Sequence, residues 1–261
     1  MSKVEDYRKQ LRELKDWIPF LRKESGLPGP RGNLELAHAA AREADSHRIE
    51  TLLSIRPERA PENSANVFVV FCGVVALGVQ VAGGDRGQLD RLREFASDPR
   101  WRIREAVATG LQYVGDADMR LLLRELRGWA AGNWYEKRAA AAALAEPRLL
   151  TDLGSAAAVL QLLDEITASM VGATDASSEA FKTLRQGLGY CWSVAIAAHP
   201  RAGMPHFEKW LSSTDPSVRW IARENLRKNR LIRMDARWVK ACLTRLGPTP
   251  ARPSSGTKAT K

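Results

Sequence analysis

The sequence predicts an all-α protein whose helices stack in pairs as an α-solenoid. Apolar residues recur at helical spacing from the N-terminus onward, and no segment shows the alternating pattern of a strand or an Asn-Gly hairpin. A short motif also recurs: the arginines at 104 and 138 are 34 residues apart, as are those at 185 and 219. A repeat of about 35–45 residues with two helices per unit is typical of α-solenoids.

The composition fits a folded chain and excludes several other classes. The chain has 261 residues, a mass of 28.9 kDa, 44% hydrophobic residues and 27% charged residues. These values exclude a wholly disordered chain, a collagen-like chain and a polytopic membrane protein. The three cysteines, Cys72, Cys191 and Cys242, are far apart and odd in number, so they exclude a disulfide framework and a cysteine-rich zinc site.

The first 84 residues predict helices of unequal length. Segment 1–25 carries apolar positions on one helix face, which predicts a single amphipathic helix, and the glycines and prolines at 26–32 end it. Asn33 and Ser64 are predicted N-caps, and residues 33–84 form a helical part with atypical repeats. The predicted helices are 3–23, 34–44, 47–55 and 66–82.

One segment resembles a membrane span by composition. Residues 63–84 carry no charge, but their polar residues leave them short of the roughly 20 predominantly apolar residues that a spanning helix needs. We therefore expect a buried core helix there, with a membrane segment as the alternative. The charged N-terminus lacks the apolar core of a secretory signal. We expect a cytoplasmic protein with reduced thiols and no membrane partner.

From residue 85 the helices become more regular. Aspartates and prolines open several of them, because Asp accepts hydrogen bonds from the first free backbone N–H groups and Pro fits the first helical position. The repeats are predicted over 85–247, and the Pro-, Ser- and Lys-containing residues 248–261 predict a disordered basic tail. The predicted helices are 87–97, 98–114, 116–130, 133–145, 153–171, 177–198, 200–212, 215–228 and 235–246.

The repeated motif is clearest in two places. Asp98–Ala106 is similar to Asp215–Ala222, and Asn133–Ala140 is a weaker third copy. A fourth copy is assigned to Leu184–Leu188. The small alanines of the motif let neighbouring helices pack closely.

The pattern Asp-Pro-x-Val-Arg-x-x-Ala at Asp215–Ala222 resembles the second-helix motif of HEAT repeats, and the resemblance covers about residues 85–247. It implies a right-handed α-solenoid of HEAT-like helix pairs, which is more often a binding scaffold than an enzyme. In HEAT repeats the motif arginine often pairs with the motif aspartate of a neighbouring repeat. The resemblance therefore implies a structural role for the motif arginines, which are Arg104, Arg138, Arg185 and Arg219.

Motifs for metal and cofactor chemistry are absent from the sequence. The four histidines include no pair at i, i+4 spacing, and there is no HExxH motif. Phosphate-binding glycine loops and a nucleophile elbow are also missing. We therefore predict no metal and no cofactor, and no residue demands a catalytic role.

Positive charge is concentrated near the C-terminus. The formal net charge is +10, and residues 216–245 hold nine basic and two acidic side chains. Arg219, Arg223, Arg227 and Arg230 follow the spacing of a single helix face, where like charges repel. An anion would offset this repulsion, so these four are candidate binding residues for nucleic acid phosphate. A solvated face is the alternative.

Eight tryptophans give a second indication of binding. Tryptophan beside arginine stacks on a base or a sugar in many nucleic-acid complexes, although it also fills the core between helix layers. Trp134 and Tyr135 follow Gly132 and Asn133 at a helix start, so they are expected to stay partly exposed. The candidate binding residues of this kind are Trp101, Arg102, Trp134, Tyr135 and Trp220.

The first functional hypothesis is a monomeric scaffold that binds a protein partner on a concave face formed by the second helices of the repeats. A third possibility is a protein that assists protein modification, such as a HEAT-like bilin lyase. No residue of the sequence distinguishes it from the scaffold. Nucleic acid is the alternative partner, through the basic C-terminal repeat.

The second hypothesis is an enzyme. The chain is similar in size, basicity and tryptophan content to the HEAT-like alkylpurine DNA glycosylases. That family uses a basic concave face, tryptophans beside the lesion and an aspartate that stabilises the developing sugar cation. Here the nearest matches are Trp134-Tyr135-Glu136 and Trp101–Glu105. The resemblance would give Glu136 or Glu105 the role of the aspartate, which neither segment contains.

Overall fold

The computed structural model describes residues 2–248, and all regular structure within that range is helical. The N-terminal helices are α1 (Lys3–Glu13), α2 (Ile18–Glu24), α3 (Leu34–Glu43), α4 (Ser46–Leu53), α5 (Ala65–Ala82) and α6 (Gln88–Phe95). The central helices are α7 (Trp101–Ala117), α8 (Met119–Ala130), α9 (Trp134–Leu144), α10 (Leu153–Ser169) and α11 (Glu179–Ala198). The C-terminal helices are α12 (Pro200–Glu208), α13 (Pro216–Leu226), α14 (Asn229–Met234) and α15 (Ala236–Leu246). Short 3₁₀ turns lie at Pro57–Arg59, Pro147–Leu149 and Lys209–Ser212.

The single N-terminal helix predicted over 3–23 is wrong, because the chain leaves the helix at Leu14 and starts again as α2. Pro19 lacks a backbone N–H, so inside a continuous helix it would cost a hydrogen bond and clash with the preceding turn, whereas it fits the first turn of a new helix. The buried Trp17 holds the break in place, since its indole N–H donates to the Leu11 carbonyl at 2.8 Å.

Helix α5 lies in the interior of the fold. It is long and apolar enough to cross a membrane, and thirteen of its eighteen residues are buried inside the protein. Its neighbours are α2, α3, α4, α6 and α7. The backbones of α5 and α7 approach closely where two glycines meet: a Cβ added to Gly78 would lie 2.2 Å from the Gly110 carbonyl oxygen.

The odd-numbered helices form one layer in chain order. Each of α1, α3, α5, α7, α9, α11 and α13 packs against the next odd-numbered helix, ending at α15. The even-numbered α8, α10 and α12 also contact one another in order, and each packs on an odd-numbered neighbour. One hydrophobic core runs from Leu11 in α1 to Leu246 in α15.

A buried asparagine joins α11 to α13 within that core. The side-chain amide of Asn225 donates to the Leu188 and Ile221 carbonyls, both at 2.8 Å. Its carbonyl oxygen accepts the Ser193 backbone N–H at 2.8 Å. Asn225 is fully buried with every hydrogen-bonding capacity of its side chain engaged except one acceptor lone pair.

Most predicted caps are confirmed. Asn33, Ser64 and Asp215 each accept a backbone N–H from the first turn of the following helix. Asn133 forms a capping box with Glu136 at the start of α9.

Several helix boundaries after residue 85 differ from the prediction. Asp98 does not cap α7, which begins after Arg100, because the Asp98 carboxylate is held by the Arg100 backbone and guanidinium. Helix α7 continues through Asp116, and Asp118 caps α8 instead. The short α14 was not predicted. The predicted tail at 248–261 lies, except for Pro248, outside the described residues.

Candidate functional site

The candidate site is a cleft on the exposed face of α7. Ile103, Ala106 and Val107 turn into the core, which leaves the opposite face of α7 open. Trp101, Glu105 and Thr109 follow one another at successive turns on that face. Trp101 is 46% exposed, more than any other tryptophan among residues 2–248, although an indole is a costly side chain to leave in water.

The cleft has a volume of about 290 Å³ and lies between the 27–34 segment, α5 and α7. Its floor is apolar, with Phe68 and Phe71 side by side at a centroid distance of 6.3 Å and nearly parallel. Its lining residues are Leu27, Pro30, Arg31, Gly32, Leu34, Phe68, Phe71, Trp101, Arg102, Glu105 and Thr109. The volume and lining suit one aromatic ring or a similar flat apolar group.

Arg102 fixes the wall of the cleft. Its guanidinium lies over the Trp101 ring at 4.5 Å. It also donates to the Gly29 carbonyl at 2.9 Å and to Asn63 Oδ1 at 3.1 Å. One side chain therefore ties the 27–34 segment to α7 and holds the exposed indole in one orientation.

Glu62 completes this wall from behind. Its Oε1 lies 3.6 Å from Arg102 Nε, too far for a hydrogen bond, and both atoms are buried without another partner in the described chain. Burial raises the pKa of Glu62, although the backbone N–H groups of Trp101 and Arg102 and the Arg102 charge oppose the shift. Glu62 and Arg102 therefore form a charged pair beside the Trp101 ring in which one atom of each side chain lacks a hydrogen bond.

Glu105 lies on the cleft, one helical turn from Trp101. Its carboxylate forms an ion pair with Arg138 of α9, and Arg138 also donates to the Arg104 carbonyl at 3.3 Å. The Glu105 side chain is 43% exposed, so the paired carboxylate still faces solvent. The guanidinium of Arg138 offsets the negative charge of this carboxylate.

The other candidate carboxylate, Glu136, has a local structural role. It closes the capping box of α9 and accepts a hydrogen bond from Arg93 at 2.9 Å. Its side chain is mostly buried, and it does not line the cleft. The structure thus brings Glu105, and not Glu136, together with an exposed tryptophan.

Trp134 and Tyr135 are half-buried and lie apart from the cleft. The Trp134 indole donates to Asp175 Oδ2 at 2.7 Å and packs edge-on against Phe181. Tyr135 lies under the Arg104 guanidinium at 4.7 Å. Both rings join neighbouring elements, and the greater exposure falls on Trp101.

The basic stripe predicted on one helix is wrong in its geometry. Helix α13 ends at Leu226, so Arg227 lies at its C-cap and Arg230 lies in α14. Each of the four arginines has a partner. Arg219 donates to the Leu246 and Ser213 carbonyls, and Arg223 donates to the Gly247 carbonyl at 2.8 Å. Arg227 pairs with Glu224 at 2.8 Å, and Arg230 lies over the Tyr190 ring at 4.8 Å.

Each motif arginine contacts a neighbouring odd-numbered helix, through partners that the resemblance does not imply. Arg104 donates to the Asp98 and Pro99 carbonyls, and Arg185 lies over the Trp220 ring at 4.9 Å. Within residues 2–248 Arg138 pairs with a glutamate, and none of the four pairs with a motif aspartate. Trp220 is half-buried against Gly189, which makes it a packing residue.

The described residues include no cluster suited to metal binding and no activated thiol. No group of three or more His, Cys, Asp or Glu side chains among residues 2–248 is arranged to hold a metal ion. Burial raises the pKa of all three thiols, to about 12 for Cys191 and about 11 for Cys242. These thiols are therefore protonated and poorly reactive at neutral pH.

The sequence did not indicate the other walls of the cleft. Leu27, Pro30 and Leu34 come from a segment that had only a breaker signature, and Phe68 and Phe71 lie in a uniformly apolar run. The i, i+3 spacing of these two phenylalanines was the one local signal for a shared face.

Comparisons of the chain with protein-family models, with curated proteins and with solved structures return no match. Function must therefore be argued from the cleft and its surroundings.

Proposed function

We propose that this chain is a HEAT-like α-solenoid that binds a partner protein through the cleft beside Trp101. The sequential packing of the odd-numbered helices and the repeated Asp-Pro motif support the solenoid arrangement. The binding role rests on one observation: an exposed indole, held rigid by Arg102, stands over an apolar cleft.

The chemistry of the cleft favours an aromatic side chain of the partner. Fixed aromatic and arginine residues around a desolvated pocket are the groups that contribute most to protein interfaces. The apolar floor at Phe68 and Phe71 would bury the ring, and the exposed Arg31 at the mouth would favour a carboxylate beside it. A short acidic segment with one aromatic residue fits both features.

The test uses peptides of that composition in a binding titration. Wild type is titrated with a fluorescent library of acidic peptides that carry one Phe, Tyr or Trp, and the best binder is taken to Trp101→Ala and Leu153→Ala. Leu153 is 60% exposed and far from the cleft in sequence, so it controls for the loss of an exposed apolar side chain. Loss of about 2 kcal/mol of binding energy in Trp101→Ala alone supports the proposal. Equal binding by both variants contradicts it.

A DNA glycosylase of the HEAT-like alkylation-repair type is the second candidate. One observation favours it: Trp101 and Glu105 lie one turn apart on the same cleft, so a carboxylate stands beside an exposed indole. In this candidate the cleft would receive an alkylated base, and the Glu105 carboxylate would stabilise positive charge on the sugar. The pairing of Glu105 with Arg138 weakens this role, because Arg138 already offsets the negative charge.

Two measurements separate the candidates. Fluorescence anisotropy with labelled duplex DNA at low and physiological salt reports binding, and release of free methylated base reports catalysis. Base release by wild type that Glu105→Gln abolishes would establish the enzyme. Saturable, salt-sensitive DNA binding without base release would leave a DNA-binding protein. Absence of both would leave the protein-binding proposal alone.

A further inference from the structure

A second cavity lies at the N-terminal end of α5, and it differs from the Trp101 cleft in chemistry. Its volume is about 390 Å³. Three of the six residues that line it are arginines, and none is acidic. We call it the basic cavity; it is lined by Arg22, Ser54, Ile55, Arg56, Arg59 and Asn66.

The three arginines come from different elements and have no carboxylate partner. Arg22 lies in α2, Arg56 follows α4, and Arg59 ends the 3₁₀ turn before α5. None of them forms an ion pair within residues 2–248. Three like charges around one cavity repel one another, and a bound anion would remove that repulsion.

Asn66 hydrogen-bonds the side chain of Arg22 and the main chain of Arg59. Its side-chain oxygen accepts a hydrogen bond from Arg22 Nε at 2.6 Å, and its amide donates to the Arg59 carbonyl. Asn66 also lies in the first turn of an eighteen-residue helix. The positive end of the α5 dipole therefore adds to the charge of the guanidinium groups.

We propose that the basic cavity binds a phosphate group. The planar guanidinium forks of Arg22, Arg56 and Arg59 match the oxygens of a phosphate, which accepts several charge-assisted hydrogen bonds at once. At about 100° per residue, Asn66 faces away from the side of α5 that carries Phe68 and Phe71. The basic cavity is therefore a separate site, and this inference does not depend on the function proposed for the Trp101 cleft.

The first arm of the test uses pyrophosphate as the probe. Isothermal titration calorimetry compares wild type with two cavity variants. Arg56→Gln/Arg59→Gln changes the connection between α4 and α5, and Arg22→Gln changes α2. Arg233→Gln/Arg237→Gln is the matched control, because both residues are exposed and the loss of charge is the same. Circular dichroism checks that each variant is folded; all the substituted side chains are exposed.

Binding of pyrophosphate by wild type, weakened about tenfold or more in both cavity variants but not in the control, is the expected result. Absence of binding in wild type, or equal weakening in the control, overturns the proposal.

The second arm identifies the source of the phosphate. Duplex DNA without a terminal phosphate is titrated against the same variants at two salt concentrations. If DNA binding falls with the cavity variants and not with the control, the site takes backbone phosphate of nucleic acid. If only pyrophosphate binding falls, the site takes the phosphate of a small molecule. Both outcomes support a phosphate site, given the result of the first arm.

Discussion

The two ends of the molecule use arginine in opposite ways. In residues 216–245, where the sequence concentrates its positive charge, Arg219 donates to the Leu246 carbonyl at the end of α15 and Arg223 donates to the Gly247 carbonyl. Near the N-terminus, Arg56 and Arg59 line a cavity without an ion pair in the described chain. We infer that charge density along a sequence is not enough to locate an anion site. The better guide is a set of arginines that line one cavity without an ion pair, because isolated exposed arginines such as Arg233 and Arg237 occur near the C-terminus as well.

The contact that should matter most is the glycine pair between α5 and α7, because the two backbones leave no room for a Cβ there. Gly78→Ala places a Cβ against the backbone of Gly110, so at least one helix must shift. We expect a loss of about 3 kcal/mol in the free energy of unfolding, measured by urea denaturation. Gly128→Ala is the control, since no atom lies within 4 Å of its Cβ position. It should stabilise by about 0.8 kcal/mol.

The C-terminal arginines offer the next largest effect. Arg219→Ala leaves the Leu246 and Ser213 carbonyls without their charged donor, and should cost about 2 kcal/mol in thermal or urea unfolding. Arg227→Ala removes only an exposed pair with Glu224 and should cost about 0.3 kcal/mol. Similar losses in the two variants would erase the distinction between capping arginines and surface arginines.

His38 gives a smaller, pH-dependent effect in the N-terminal region. It hydrogen-bonds the Tyr113 hydroxyl at 2.8 Å, and burial, then the Arg42 and Arg148 charges, lowers its pKa against a weaker opposing effect of Glu35. Above pH about 6.5 the ring is neutral in both folded and unfolded chains. As pH falls below that value the unfolded chain binds the proton first, so stability is lost.

His38→Gln should therefore lose less stability than wild type between neutral pH and pH about 5, in urea denaturation at each pH. His206→Gln, in the last turn of α12, is the control for the same substitution at another histidine. An unchanged pH dependence in His38→Gln would show that His38 is not responsible.

The smallest effect on stability should come from Trp101. Trp101→Phe replaces a half-exposed indole by a smaller ring and should change the free energy of unfolding by less than about 0.5 kcal/mol. Its spectroscopic effect should be clear, because the fraction of tryptophan fluorescence quenched by iodide should fall. Trp192→Phe removes a fully buried indole and should leave that quenched fraction equal or larger. The opposite pattern would place the exposed tryptophan elsewhere.

Local signals predicted most of the helices. An N-cap such as Asn33 or Ser64 acts on a backbone group only three residues away, so the sequence contains the whole interaction. Where two aspartates stood close together, at Asp116 and Asp118, the same rule could not decide between them. The N-terminal break was missed because apolar spacing alone gave no weight to Pro19.

The candidate site was predicted in part, and the reason lies in sequence separation. Trp101, Arg102 and Glu105 lie within five residues of one helix, so the sequence alone could suggest them as neighbours. The opposite wall comes from the 27–34 segment, more than sixty residues away along the chain. Only tertiary packing brings it there. The arginine stripe failed for the opposite reason: its spacing was right, but the helix ended at Leu226.

Asn225 bears on how this chain can change over evolutionary time. Its amide contacts main-chain atoms of α11 at Leu188 and Ser193, and not their side chains. Substitutions at those two positions that keep the helix, and at Ser193 any residue except proline, therefore keep the main-chain groups of the contact, whereas an insertion or deletion of one residue between them would rotate one partner by about 100° and away from the amide. Changes in α11 that keep its length can therefore keep α11 and α13 in phase, and Asn225 is the residue of α13 that this contact requires.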